Sequence, residues 1–225
     1  FFPYIGYFQL MNQVEKFVVY DDVKYTKKGW INRNRILLQG KDKVVTLPLA
    51  KGSDFLTIRQ RKLAPGWPQQ KLKLINTLKA GYQGTPYFAP TLQFLQPILS
   101  YDSDNLFDFI YHSISKLAEL LEIDNELMKS STLELSPEFK KQDKVLEICR
   151  LTNASEYINL SGGMDLYDRS EFNNNDIQLR FLKSKLSPYL QRAEVFVPAL
   201  SIIDLLMNLP RQQVIDMIQD DFVLS

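Results

Sequence analysis

One cysteine, Cys149, and one histidine, His112, are all that the 225 residues hold of those two types. A single thiol excludes an internal disulfide and any cysteine-cluster metal site, and it fits a reducing cytoplasm. A single histidine excludes a multi-histidine metal centre. A Ser–His–Asp triad would rest on His112 alone, which lies inside the helical pattern YHSISKLAELL. It reads as an ordinary helix residue, and Cys149, in the apolar stripe of its own helix, reads as a small buried side chain. No apolar run reaches the ~18 residues of a membrane span. No signal-peptide pattern is present either.

Acids are missing from one long stretch. Between Lys24 and Lys79 there are 14 Lys and Arg against only Asp42 and Asp54, although the whole chain carries a net charge of just +1. A basic block inside a nearly neutral protein points to an anionic ligand, or else to a solvated basic surface. Nucleic acid, with Tyr25, Trp30 and Trp67 stacking on bases, is the less favoured partner. The remainder of the chain is acidic, and the two faces of a strand separate the basic residues. An anionic small molecule such as a nucleotide-sugar fits better.

Strands are expected at KFVVY (16–20), INRNRILL (31–38) and KVVTLPL (43–49), with the glycine-bearing QGKD joining the last two as a hairpin. Helices are expected over GWPQQKLKLINTLKAGY, with Pro68 in the first turn and Gly81 as the stop, and over 86–99 and 104–121, the last capped by Asp102 or Ser103. The second half alternates: ELMKSST (126–132) strand, KKQDKVLEICRL (140–151) helix, EYINL (156–160) strand, SGGMDLYDRSEF entering a helix, DIQLRFLK (176–183) strand. Helices near 201–208 and 210–219 close the chain. Strand–helix alternation with short connections predicts one α/β domain over 1–225. Its sheet would be mostly parallel and Rossmann-like, with flanking helices, an N-terminal β-hairpin and a helical C-terminal close.

In such sheets ligands bind at the carboxyl ends of the strands. Asp21-Asp22 follows the first strand, Ser130-Ser131 follows another, and Ser161-Gly162-Gly163 follows EYINL. The glycines let backbone approach a ligand, and the free N–H groups at a helix start favour an anion; the same residues also suit any tight turn. In INRNRI the alternation of a strand puts Asn32 and Asn34 on one face and Arg33 and Arg35 on the other. Two guanidiniums ~7 Å apart on one face repel unless an anion lies between them. That anion is a bound phosphate or carboxylate, or it is Asp21 and Asp22 themselves in an internal ion cluster. The asparagine amides would bond either backbone or a ligand's sugar and amide groups.

FFPYIGYFQL, YDDVKYTKKGWINRNRI and LSGGMDLYD resemble, in order and spacing, three signature blocks of the WbqC-like family, and the resemblance covers essentially the whole chain. It implies a first strand ahead of the aromatic block, so the chain is expected to be truncated upstream of Phe1. It also implies bacterial surface-polysaccharide (O-antigen) biosynthesis, with some members labelled glycine or aminoacyl transferases. The matching positions are Pro3, Tyr4, Gly6, Tyr7 and Phe8; Asp21, Asp22 and Val23; Asn32 to Arg35; and Ser161, Gly162, Gly163 and Tyr167. Together these readings predict transfer of an acyl or aminoacyl group to a nucleotide-linked amino sugar. Asp21 or Asp22 would accept the amine's proton, Arg33, Arg35 and Lys28 would bind phosphate, and the SGG loop would hold a second anionic group. The aspartate pair is equally suited to hold Mg2+ together with substrate phosphates. A non-catalytic nucleotide-sugar binding protein is the alternative.

Overall fold

The structure is a computed structural model that describes residues 1–136 and 138–225. Its first element is a helix, α1 (Ile5–Asn12), which buries Ile5, Gly6, Phe8, Gln9, Leu10 and Met11. A helix apolar nearly all round is a core helix, so most of the aromatic block is interior packing. Gln9, fully buried, donates from Nε2 to the carbonyls of Met217 (2.9 Å) and Asp221 (3.0 Å), tying α1 to the last helix.

Strand β1 (Lys16–Val19) pairs in parallel with β4 (Glu126–Lys129), Lys16 opposite Glu126 and Val19 opposite Lys129. The hairpin β2 (Arg33–Leu38) and β3 (Lys41–Thr46) turns at Gln39-Gly40, where both residues have positive φ (52° and 74°). That is the geometry of a two-residue hairpin loop, and glycine supplies half of it without strain. Strand β5 (Glu156–Leu160) pairs in parallel with β6 (Gln178–Ser184), and a short β7 (Phe222–Leu224) adds antiparallel to β6.

The fold is therefore mixed α/β with helices and small sheets, two of which hold parallel pairs. A continuous Rossmann-like sheet is not formed by hydrogen bonding among the described residues. Helix α1 packs on β5 and β6, and Phe17 of β1 packs with Ile158 and Leu182 of those strands. Apolar packing thus spans the space between the parallel pairs where no strand hydrogen bonds do.

The remaining helices are α2 (Trp67–Tyr82), α3 (Phe88–Leu99), α4 (Leu106–Leu120), α5 (Lys141–Leu151), α6 (Arg169–Asn174), α7 (Ile202–Asn208) and α8 (Arg211–Asp220). Two details differ from expectation. Gly81 does not stop α2; it lies inside it, and a Cβ there would stand 2.6 Å from the Leu37 carbonyl oxygen. Its role is close approach of helix to β2. The cap of α4 is Asn105 and neither Asp102 nor Ser103. Its side chain accepts from the N–H groups of Phe107 (2.8 Å) and Asp108 (3.2 Å), because Asn105 is held in a β-bridge to Lys62. Such caps contribute about 1 kcal/mol.

Candidate functional site

The carboxyl ends of β1 and β4 meet, and there the chain changes direction. After Lys129 it turns into a 3-10 turn, Ser130–Thr132, that presents two serines to the aspartates following β1. Asp21 is 2 % exposed. Its Oδ1 accepts from Ser130 Oγ and from the Ser131 backbone N–H, both at 2.9 Å, and its Oδ2 accepts from Ser131 Oγ at 2.6 Å. Among the described residues no cation pairs with it. Its charge is held entirely by dipoles, an arrangement that makes Asp21 a pin between β1 and β4.

Asp22 is placed differently. Lys144, from the first turn of α5, reaches its Oδ2 at 2.7 Å, and Ser130 Oγ lies against its Oδ1. The single Ser130 hydroxyl hydrogen faces a carboxylate oxygen of each aspartate and serves the two in alternation. Lys144 and Ser130 together hold the Asp22 carboxyl below its usual range, outweighing the partial burial that would raise it. The Asp22 and Lys144 side chains are 25 % and 14 % exposed, so the pair is reachable from solvent where Asp21 is not.

Tyr20 links this pair to two neighbours. The Lys144 ammonium sits 5.5 Å from its ring centroid. Burial raises the Tyr20 hydroxyl above its ordinary value, with further contributions from nearby Tyr167, Cys149 and Asp22. Tyr20 packs against the cluster under β5 and β6 that contains Cys149, Phe172 and Phe181, beside Tyr157 and Tyr167. There the Tyr157 and Tyr167 hydroxyls lie 3.1 Å apart, and Asn159 Nδ2 donates to both, at 3.0 and 2.8 Å. Tyr157 also stacks on Phe172, with centroids 5.6 Å apart and planes at 13°. This polar group stands at the end of β5, directly before Ser161-Gly162-Gly163, which opens a 3-10 turn (Ser161–Leu166). Gly162 is exposed with open space around its Cα, and a Cβ on Gly163 would touch Asn159 Nδ2 at 3.4 Å.

On its other side Tyr20 borders a cavity of about 520 Å3. Its wall is mostly apolar, including Val19, Ile31, Ile58, Phe107 and Ile110, with Tyr4, Tyr7, Asn34 and Arg35 as polar members. Gly6 lies beneath the Tyr4 ring, where a Cβ would come within 2.5 Å of it.

The arginines do not join the aspartates. Arg33 donates from Nε to the Gly29 carbonyl (3.1 Å) and from Nη2 to the Lys28 carbonyl, and its guanidinium covers the Trp30 ring. Arg35 pairs with Asp42 across the hairpin (3.1 Å) and donates to the Pro198 and Ala199 carbonyls. Residues 24–32 carry the hairpin away from Asp21 and Asp22, and carbonyls close to each arginine take up its donors. The internal Asp–Arg cluster weighed from sequence is thus replaced by Asp21–Ser130–Ser131 and Asp22–Lys144. Asn32 and Asn34 bond protein and not open space. Asn32 accepts from Tyr25 Oη (2.9 Å) and donates to the Leu47 carbonyl (2.8 Å), and Asn34 donates to the Phe2 carbonyl (2.7 Å). The Lys28 side chain is exposed.

Lys144, Tyr20, Tyr157 and Asn159 were not singled out from sequence. Lys144 lies 122 positions from its partner, and a lysine in the first turn of a helix gives no signal of its own. His112 stacks on Tyr101, with centroids 4.0 Å apart, and burial in the apolar wall pushes Cys149 up to about 11. Among the described residues no group of three or more His, Cys, Asp or Glu is arranged to hold a metal ion. No helix there is long and apolar enough to cross a membrane.

Fold and site together define an α/β protein with a polar cluster at the carboxyl ends of its parallel strands. The chain belongs to the WbqC-like protein family, whose profile matches residues 1–216. It is 29% identical over 212 residues to Rv1507c, an uncharacterized protein of Mycobacterium tuberculosis; the match covers 92% of this chain and 90% of that protein. No solved structure matches it.

Proposed function

We propose that this protein is a cytoplasmic enzyme of bacterial surface-polysaccharide (O-antigen) biosynthesis. It transfers an acyl or aminoacyl group, glycine-like in the simplest case, to the amine of a nucleotide-linked amino sugar. Family membership alone suggests a role in polysaccharide biosynthesis at most. What supports the finer reading is one juxtaposition: the accessible Asp22–Lys144 pair beside the Tyr157–Asn159–Tyr167 group at adjoining strand ends, next to an apolar cavity. In the same reading the β4–β1 and β5–β6 pairs are two parts of one Rossmann-like layer bridged by α1.

The chemistry follows from an exchange of partners. Paired with Lys144, Asp22 is ionised at neutral pH and suited to accept a hydrogen bond from the substrate's free amine. When a substrate phosphate draws the Lys144 ammonium away, Asp22 loses its main stabilising partner and its pKa rises, which makes it a better base. It then takes the proton released as the amine nitrogen bonds to the acyl carbon and the carrier's thiolate or phosphate leaves. Asp21, closed off by the two serines, holds the strand ends and does not meet substrate. Tyr4, Asn34 and Arg35 line the approach, with Lys28 and Arg33 beside Trp30 at its edge and Gly6 making room for Tyr4. Ser161, Gly162, Gly163 and Tyr167 receive the second anionic group. A Mg2+ ion in this place would meet Asp22 and the substrate's phosphates.

The test is mass-spectrometric detection of N-acylated product from a nucleoside-diphosphate amino sugar and activated acyl or aminoacyl donors. Product is expected with the wild type and is lost in Asp22→Asn while sugar binding persists. Binding of the nucleotide amino sugar with no transfer from any donor overturns the enzyme reading. It would leave the binding-protein reading, which is favoured by one observation: every carboxylate oxygen of the aspartate pair already has a partner within the protein.

A further inference from the structure

The basic stretch of the second signature block touches the cavity only at its Trp30 end. Its side chains form a surface of their own on two adjacent loops. The backbone of residues 23–25 runs alongside 56–58, with the Tyr25 N–H donating to the Leu56 carbonyl (3.1 Å) and the Ile58 N–H to the Val23 carbonyl (3.0 Å). Two aromatic side chains project from these loops, Phe55 at 82 % and Trp30 at 57 % exposure. Each is skirted by cations. Lys24 Nζ lies 4.8 Å from the Phe55 ring centroid and the Arg33 guanidinium 5.1 Å from that of Trp30. Lys27, Lys28 and Lys51 are exposed on the same loops, and the one acid there, Asp54, is held by Lys27 at 2.7 Å.

We infer that this face docks the protein on an anionic lipid bilayer. Two exposed aromatic side chains, each with a cation against its ring and further exposed lysines on the same loops, match the layered chemistry of a membrane interface, in which aromatic rings sit at the headgroup level and ammonium groups meet lipid phosphates. The arrangement fits other partners less well. A stable protein interface needs ~800 Å2 of complementary surface per partner, and two separate loop tips do not supply its apolar centre. Nucleobases stack on aromatic faces, and here the Arg33 guanidinium already lies over the Trp30 ring. The loops are braced for exposure: Arg33 bonds the Gly29 carbonyl at 3.1 Å, and the Gln60 side chain accepts from the Thr57 N–H at 3.0 Å behind Phe55. This inference goes beyond the transferase reading; the two share Lys28, Arg33 and Trp30 at the cavity edge, whereas Lys24, Lys51 and Phe55 belong to this face alone.

The test is co-sedimentation of the whole chain with vesicles of phosphatidylglycerol and phosphatidylcholine, against pure phosphatidylcholine. Tryptophan emission is recorded in parallel, with Trp30 as the exposed reporter and Trp67 buried at 5 % exposure. Binding to the anionic vesicles is expected, with a blue shift that disappears in Trp30→Phe. Phe55→Ser is expected to lower the partition coefficient about tenfold, and Lys24→Gln or Lys51→Gln about fivefold each. Three outcomes overturn the inference: no binding to anionic vesicles; binding that salt abolishes but that Trp30→Ser and Phe55→Ser leave unchanged; or retention by an oligonucleotide at a salt concentration where vesicles retain nothing.

Discussion

Removing the Asp21 carboxylate is expected to be one of the most damaging single changes to the stability of this fold, although no charged group among the described residues pairs with it. Its three hydrogen bonds come from Ser130 Oγ, the Ser131 N–H and Ser131 Oγ, at 2.9, 2.9 and 2.6 Å, and the residue is 2 % exposed. Hydrogen bonds to a charged group contribute ~1.5–3 kcal/mol each, and a buried donor left without a partner costs ~1–3 kcal/mol. The bonds share donors and acceptors and do not add fully, so Asp21→Ala is expected to lose about 4 kcal/mol. Asp21→Asn keeps one acceptor oxygen but turns an NH2 group toward a donor, for a loss of about 2 kcal/mol. For a chain of this length a change of 1 kcal/mol moves Tm by ~2–4 °C, so Asp21→Ala should melt roughly 8–16 °C lower. Urea titration followed by far-ultraviolet circular dichroism measures both variants. Asp22→Asn, at a partly exposed position, should stay within about 1.5 kcal/mol of wild type. An Asp21→Ala variant as stable as wild type, or one less damaged than Asp22→Asn, would refute the division of labour between the two aspartates.

The two carboxylates Asp22 and Asp204 should respond to pH in opposite senses. Lys144 and Ser130 depress Asp22, so its contribution is present above the unfolded pKa of ~3.9 and fades as pH falls through the lower folded value; the wild type's advantage over Asp22→Asn should shrink below about pH 4. Asp204 is fully buried and raised by desolvation despite hydrogen bonds from Tyr82 (2.8 Å), Tyr189 (2.6 Å) and Gln191 (2.9 Å). Its raised pKa favours the folded state at low pH and loses that effect as pH rises from about 4, so Asp204→Asn should gain on wild type over that rise. Urea unfolding between pH 3 and 7 checks both, and parallel slopes would contradict the assignment. Gly81→Ala should lower stability by ~1–3 kcal/mol through overpacking against the Leu37 carbonyl, in spite of alanine's better helix propensity; a gain in Tm would show that the helix can step back from β2. Cys149, 4 % exposed and with its thiol pushed up to about 11, should react with a thiol reagent at pH 8 only after urea is added.

How far these features could be read from sequence depends on the range of the interactions. EYINL became β5 with the expected ends, and the QGKD turn and the body of α2 followed from local periodicity and turn chemistry. The strand-end positions of Asp21-Asp22, Ser130-Ser131 and Ser161 also followed, because an α/β alternation places such residues at one rim. What failed needed contacts between distant residues. Gly81 reads as a helix stop until β2 is laid against it. Asn105 outcompetes Asp102 and Ser103 only because the Lys62 bridge holds it. The arginines of INRNRI were correctly placed opposite the asparagines, but their partners are carbonyls that become neighbours only once residues 28–29 and 198–199 have folded around them. Lys144 is the sharpest case, since its meeting with Asp22 depends on how α5 crosses the end of β1.

We propose the Asp22–Lys144 pair as the binding site for an anionic, amine-bearing nucleotide-sugar. Calorimetric titration of the wild type and Lys144→Ala with a nucleoside-diphosphate amino sugar tests it most directly. Saturable binding by the wild type is expected, with at least tenfold weaker binding by Lys144→Ala and an unchanged fold in both. Equal affinity in the two proteins, or no binding by the wild type, would contradict it.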